Sequence, residues 1–107
     1  MRRPGYLNGI EETLPILTRQ AARWSTAARQ DENPMIAVLH ANYGAGYLWA
    51  MQDIATHGEI ERATGIDWKR FRDEILKTQD EAAQKMARSC PKFAPTPSYL
   101  SQIAKEG

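Results

Sequence analysis

The chain has 107 residues, of which 42% are hydrophobic, 25% charged and 8% aromatic, and its formal net charge is +1. This length suits one domain, and the balance of apolar and charged residues argues against a disordered chain. The near-neutral charge removes the main argument for nonspecific nucleic-acid binding. The single cysteine, Cys90, excludes an internal disulfide framework and fits a reducing compartment.

Charge is distributed unevenly along the chain. Residues 1–30 carry five arginines against two glutamates, and residues 31–58 have no lysine or arginine. Residues 59–90 carry seven basic and seven acidic side chains. A segment poor in charge between two charged ones predicts a buried element between two amphipathic ones. No targeting segment is predicted, because no apolar run follows the basic first residues, so we expect a cytoplasmic protein.

The first predicted helix extends from about Asn8 to Gln30. Apolar residues from Ile10 to Ala28 recur at alternating spacings of four and three, which places them on one side of a helix. Asn8 and the glutamate three residues later match a capping box. Pro15 lacks a backbone donor, so it predicts either a bend or a helix boundary at that point.

The second predicted helix is the central one. Asn33 is a preferred N-cap, Pro34 suits the first helical position, and Gly58 predicts an end near His57. Its bulky face holds Ile36, His40, Tyr43, Tyr47, Ala50 and Ile54, its small face holds Ala37, Ala41, Gly44, Leu48 and Ala55, and a more polar strip holds Asn42, Gly46, Trp49 and Asp53. A helix apolar on two faces is expected to contact two partners, and the small face allows one of them to approach closely.

Two further helices follow. Residues 59–64 predict a short helix that Thr56 and Glu59 begin with a capping box. The last long helix is predicted to begin at the N-cap Asp67 and to end just before Pro91.

No strand pattern or internal repeat is present, so the predicted class is all-α. The expected architecture is a small helical bundle of three long helices plus a short helix. Residues 1–90 are predicted to form this single domain. Residues 91–107 form a Pro-rich C-terminal tail, in which residues 98–105 could form a short docking helix.

The search for chemistry gives few candidates. Asp53 and His57 have the spacing at which two helical side chains face one metal ion, but a solvated helix end explains them more simply. His40, Tyr43 and Tyr47 either line a ligand pocket or hydrogen-bond across a helix interface. No set of nucleophile, base and acid has an informative spacing. We therefore expect no enzymatic activity, no catalytic residue, no metal and no cofactor.

Residues 59–75 resemble a helix-turn-helix unit, because a short helix, a glycine-containing turn and a longer helix follow one another. Lys69, Arg70 and Arg72 are the candidate DNA contacts. Asp73 would face the DNA backbone unfavourably, and a structural corner between two helices explains the same residues. DNA binding is therefore the alternative function.

The segment from Pro34 to Gln52 has 19 residues without formal charge, which is close to the length of a membrane span. His40, Asn42 and two glycines dilute its apolar character, and the flanking helices carry apolar stripes that need a protein partner. We expect no membrane partner.

The central helix has more apolar circumference than two neighbours cover, which predicts a homo-oligomer, with a dimer favoured. The large aromatic Trp49 on its polar strip suggests a buried interface. The candidate interface residues are Trp49, Tyr43, Tyr47, Gly46, Phe93, Tyr99 and Leu100, the last three as anchors of the tail.

The segments from His40 to Trp49 and from Ala63 to Asp67 resemble parts of uncharacterised small helical proteins of marine bacteriophages and ocean metagenomes. The resemblance extends over most of residues 6–95. It implies a phage accessory or assembly factor that acts in a bacterial cytoplasm, and it brings no catalytic residues.

Overall fold

The computed structural model describes residues 5–90 and residue 103, with side chains from residue 9 onward. The helices are α1 (Gly5–Gln30), α2 (Pro34–Ile54), α3 (His57–Thr64) and α4 (Trp68–Ser89). No strand occurs among the described residues. The predicted all-α class, with three long helices and a short one, is confirmed.

Helix α1 differs from its prediction at its start. It begins at Gly5, so Asn8 lies inside the helix and is not its N-cap. It continues through Pro15, so of the two predicted alternatives, a bend or a boundary, the boundary is wrong. Leu14 and Ala21, on either side of the proline, are buried in the same core cluster, and this shared packing favours one continuous helix. The predicted stripe is buried at Leu14, Ala21 and Ala28, whereas Ile10 is exposed.

Helix α2 begins as predicted but ends earlier. The Oδ1 atom of Asn33 accepts hydrogen bonds from the backbone N–H groups of Met35 and Ile36, and Pro34 occupies the first turn. The predicted end at His57 is wrong, because α2 ends at Ile54 and Thr56 already caps α3. His57 and the following glycine therefore belong to the first turn of α3.

The capping box at the start of α3 is confirmed. The backbone N–H of Thr56 donates to Oε1 of Glu59 at 2.8 Å, and the backbone N–H of Glu59 donates to Oγ1 of Thr56 at 3.2 Å. These hydrogen bonds, chiefly the one from the Thr56 backbone, lower the pKa of the Glu59 carboxyl below its ordinary value of 4.5.

The corner between α3 and α4 is held by a glycine turn and by two carboxylates that accept hydrogen bonds from backbone N–H groups. Gly65 ends α3 in the left-handed region at φ 75°, and Asp67 caps α4 by accepting from the N–H of Arg70 at 3.1 Å. The Oε2 atom of Glu61 also accepts from the backbone N–H of Trp68 at 2.9 Å. This last contact crosses the turn and fixes the two helices to each other.

The core lies on the small face of α2, which packs against α1 and α4. The buried residues of α2 are Ala37, Ala41, Gly44, Ala45, Leu48 and Met51. At Gly44 the backbone of α1 comes so close that an added Cβ would lie 3.1 Å from the carbonyl oxygen of Ala21 and would collide with Oγ of Ser25. The glycine therefore sets the closest approach of α1 to α2.

A polar contact between α1 and α4 was not predicted. The Nε–H of Arg29 donates to Oγ1 of the buried Thr78 at 2.8 Å, and the same guanidinium donates to Oε2 of Glu74 at 3.1 Å. Thr78 donates in turn to the backbone carbonyl of Glu74 at 2.9 Å. The buried hydroxyl of Thr78 therefore both accepts and donates a hydrogen bond.

Within the part of the chain that the structure describes, no helix combines the length and the hydropathy that a membrane span requires.

Gly44→Ala is expected to lower the free energy of unfolding by about 1–3 kcal/mol, because the added methyl group must displace Ser25 and the backbone of α1. Denaturant unfolding followed by circular dichroism measures the change. Gly9→Ala is the control, since no described atom lies within 4 Å of its added Cβ. Equal stabilities of the two variants would contradict the close approach at Gly44.

Glu59→Gln is expected to reduce stability at neutral pH but not in acid. A carboxyl whose pKa is lowered by folding stabilises the folded state above its unfolded pKa, and it loses this contribution as the pH falls through its folded pKa. The wild type and the variant should therefore converge below pH 4.5 in denaturant unfolding measured across pH. A difference that is independent of pH would contradict the role of the charged carboxylate.

Candidate interaction surface

Helix α2 has apolar side chains on the side that faces away from the core. Its exposed large residues are Met35, Ile36, Leu39, Tyr43, Trp49 and Ile54, each between 38% and 58% exposed. Together with Gly46 and Ala50, which lie among them, they form the outer face of α2. No lysine, arginine, aspartate or glutamate occurs between Pro34 and Gln52. The outer face is therefore an apolar surface almost without charge.

A groove of about 500 Å³ lies beside the outer face, between α1 and α2. Leu17 and Trp24 line it from α1, and Tyr43, Gly46, Tyr47 and Ala50 are among its residues on α2. The rings of Trp24 and Tyr43 meet edge to face with centroids 5.1 Å apart. The bulky face of α2 is therefore covered only in part, and Tyr43 and Tyr47 line this groove, while their role as a ligand pocket stays a prediction.

His40 takes the structural alternative instead. Its Nδ1 atom hydrogen-bonds with Oδ2 of Asp31, and its ring lies against Trp24 with centroids 5.0 Å apart. Both partners are more than 70% buried at their side chains. His40 thus ties α2 to the end of α1, and its ring does not line the groove.

The remaining predicted interface residues fall into two groups, those on α2 and those of the tail. Trp49 is 39% exposed and lies on the side of α2 next to α4, where Nε2 of Gln79 donates to Oδ1 of Asn42 at 3.0 Å. Gly46 is exposed and Tyr47 is half-buried. Phe93, Tyr99 and Leu100 lie outside the described residues.

The two metal-ligand candidates, Asp53 and His57, do not come together. Asp53 is in α2 and His57 is in α3, so the helical spacing that would point both at one ion is lost. The ring of His57 instead stacks on Trp68 with centroids 5.1 Å apart. Among the described residues, no group of three or more His, Cys, Asp and Glu side chains could hold a metal ion.

The helix-turn-helix candidates lie on a charge-balanced surface. Lys69 and Arg70 are exposed and Arg72 is half-buried. The Nζ atom of Lys69 lies 3.0 Å from Oδ2 of Asp73, and a guanidinium nitrogen of Arg72 lies 3.8 Å from its Oδ1. One carboxylate therefore contacts two of the three predicted DNA contacts.

No protein-family model matches the chain, and neither a curated protein nor a solved structure matches it.

Asp31→Asn is expected to destabilise the protein by about 1–3 kcal/mol, because His40 loses its charged acceptor in a partly buried position. Denaturant unfolding at pH 7 measures the change. Glu32→Gln, at an exposed neighbouring position, should stay within about 0.5 kcal/mol of the wild type. An equal loss of unfolding free energy in both variants would show that the negative charge between α1 and α2, and not the hydrogen bond to His40, is responsible.

Proposed function

We propose that this protein is a non-enzymatic, self-associating interaction or accessory protein, and that copies associate through the outer face of α2. One observation carries the proposal. Helix α2 has no charged residue between Pro34 and Gln52, and its large apolar side chains remain exposed on the side away from the core. Isolated exposed apolar residues are common on monomers, but a contiguous set along a whole helix is typical of an interaction site.

The size of the outer face supports an interface. The exposed fractions of its six large side chains correspond to a surface on the order of 600 Å², and a standard interface buries about 800 Å² on each partner. The adjoining groove, with Leu17 and Trp24, adds to this area. The outer face and the groove together contain two tyrosines and two tryptophans, which matches the aromatic enrichment of interface cores: Tyr43, Tyr47, Trp24 and Trp49.

A second copy of the chain is the partner that this surface fits best. In a two-fold dimer the same surface contacts itself, so like charges would oppose each other if the surface carried many. The outer face avoids that repulsion, because the neighbouring Asp53 near its end is the first charged residue after Glu32. A dimer is therefore the favoured state.

The proposal places the protein in a reducing cytoplasm, in keeping with its single cysteine. The resemblance to proteins of marine bacteriophages stays a prediction, and a role as an assembly or accessory factor agrees with it.

Size-exclusion chromatography with light scattering tests the proposal, and a dimer that persists at both low and high salt is the expected result. Leu39→Glu should convert it to a monomer, because a carboxylate in the middle of the outer face would be desolvated without a cationic partner. Ile16→Glu is the matched control, since Ile16 is exposed to a similar extent on α1 and does not line the groove. Trp49→Ala should weaken the dimer without adding charge.

Monomeric wild type, or a dimer that both the Leu39 and the Trp49 variant leave intact, would overturn the proposal. The same samples are titrated with duplex DNA at increasing salt. Affinity that falls steeply with salt and that depends on Lys69 and Arg70 would favour the helix-turn-helix alternative instead.

A further inference from the structure

Gly46 lies in the middle of the outer face, and no contact among the described residues requires a glycine there. No described atom lies within 4 Å of the position that a Cβ would take, and the residue is in regular helix without a positive φ. Glycine inside a helix is unfavourable relative to alanine. The described structure therefore gives a cost for Gly46 and no contact that offsets it.

Gly44, two residues earlier, is the opposite case. Its missing side chain is needed inside the chain, because α1 passes directly over it at Ser25 and Ala21. Two residues apart on a helix are about 200° apart around its axis, so Gly46 points away from α1. Gly46 therefore leaves room on the outer face for a second backbone to approach α2 closely.

The side chains around Gly46 indicate which backbone fits. On the side of the outer face nearest α1, the large Tyr43 precedes Gly46 by about one turn and the small Ala50 follows it by about one turn, whereas the large Trp49 lies on the side next to α4. In an antiparallel pair of α2 helices, Tyr43 of one copy would lie over Gly46 and Ala50 of the other. Large side chains would then meet small ones on both sides of the two-fold axis.

Charge selects the antiparallel direction. Asp53 is exposed and lies two turns beyond Gly46 on the same side of the helix. A parallel pair would place the two Asp53 carboxylates side by side and would align the two helix dipoles, and both effects are unfavourable. An antiparallel pair separates the carboxylates and opposes the dipoles.

We infer that two copies of the chain pair antiparallel through α2, with Gly46 at the crossing point and Tyr43 of each copy against the glycine of the other. The inference rests on the proposed self-association and specifies its direction and register.

The direction is tested by cross-linking in a Cys90→Ser background. In the antiparallel pair, Leu39 of one copy lies near Ile54 of the other, whereas the two copies of Leu39 are about 20 Å apart along the helices. A Leu39→Cys chain and a mass-tagged Ile54→Cys chain are mixed and oxidised. Mixed cross-links between the two variants are expected in excess over cross-links of either variant with itself.

The crossing point is tested by Gly46→Ala. The added methyl group should raise the dissociation constant of the dimer at least ten-fold, while denaturant unfolding of the dilute monomer shows equal or greater stability. Gly9→Ala should leave the dissociation constant unchanged. A purely structural role of Gly46 within one chain would move both measurements in the same direction.

The outcomes separate the inference from the proposed function. A wild-type dimer that cross-links through matching positions, or whose affinity Gly46→Ala does not change, overturns the antiparallel crossing and leaves self-association standing. A wild type that is monomeric by light scattering at every concentration overturns both, with the tail 91–107 or another protein as the occupant of the outer face.

Discussion

The close approach of α1 and α2 at Gly44 determines which side of α2 is buried. With no side chain at this position, the α1 backbone near Ala21 and Ser25 lies directly against α2, and alanines continue the contact on both sides. A helix pair held by such small residues gains dispersion contacts from backbone proximity more than from large side chains. The small face of α2 is therefore turned inward, and the larger apolar residues are displaced to the rim and the outside.

At the start of α2 this arrangement buries small side chains and leaves larger ones exposed. The four largest fully buried side chains are Leu14, Leu48, Met51 and Ile60, and they gather where α3 also packs against the bundle. Towards the start of α2, the second cluster is built of four alanines. Ile36 and Leu39 are exposed beside this alanine cluster, where the core is thinnest. The uncovered apolar surface of the described chain is therefore concentrated near the start of α2.

Much of the fold follows from local sequence. The N-caps at Asn33 and Asp67, the capping box at Thr56 and the left-handed Gly65 each depend on residues within a few positions, and all were predictable. The end of α2 was misplaced because Gly58 and Thr56 offered competing signals, and the reciprocal hydrogen bonds of Thr56 and Glu59 prevail. The choice between two such signals depends on hydrogen-bond geometry, and the order of residue types does not reveal that geometry.

The candidate surface was predictable only in outline. Surplus apolar circumference and the exposed Trp49 could be inferred from helical periodicity, but the groove between Trp24 and Tyr43 depends on the angle at which α1 and α2 cross. The contact of Arg29 with Thr78 joins residues 49 positions apart, and a single sequence carries no signal for such a pair. Long-range polar contacts and the choice between two apolar faces therefore required the structure.

The three tryptophans occupy three different environments, and this gives the molecule its own optical reporters. Trp68 is buried under His57 at the start of α4, Trp24 borders the groove beside His40, and Trp49 is partly open to solvent. Indole emission shifts to the blue when the ring moves from water into apolar surroundings. Intrinsic fluorescence from single-tryptophan variants therefore follows the α3–α4 corner, the groove and the outer face separately, without any attached dye.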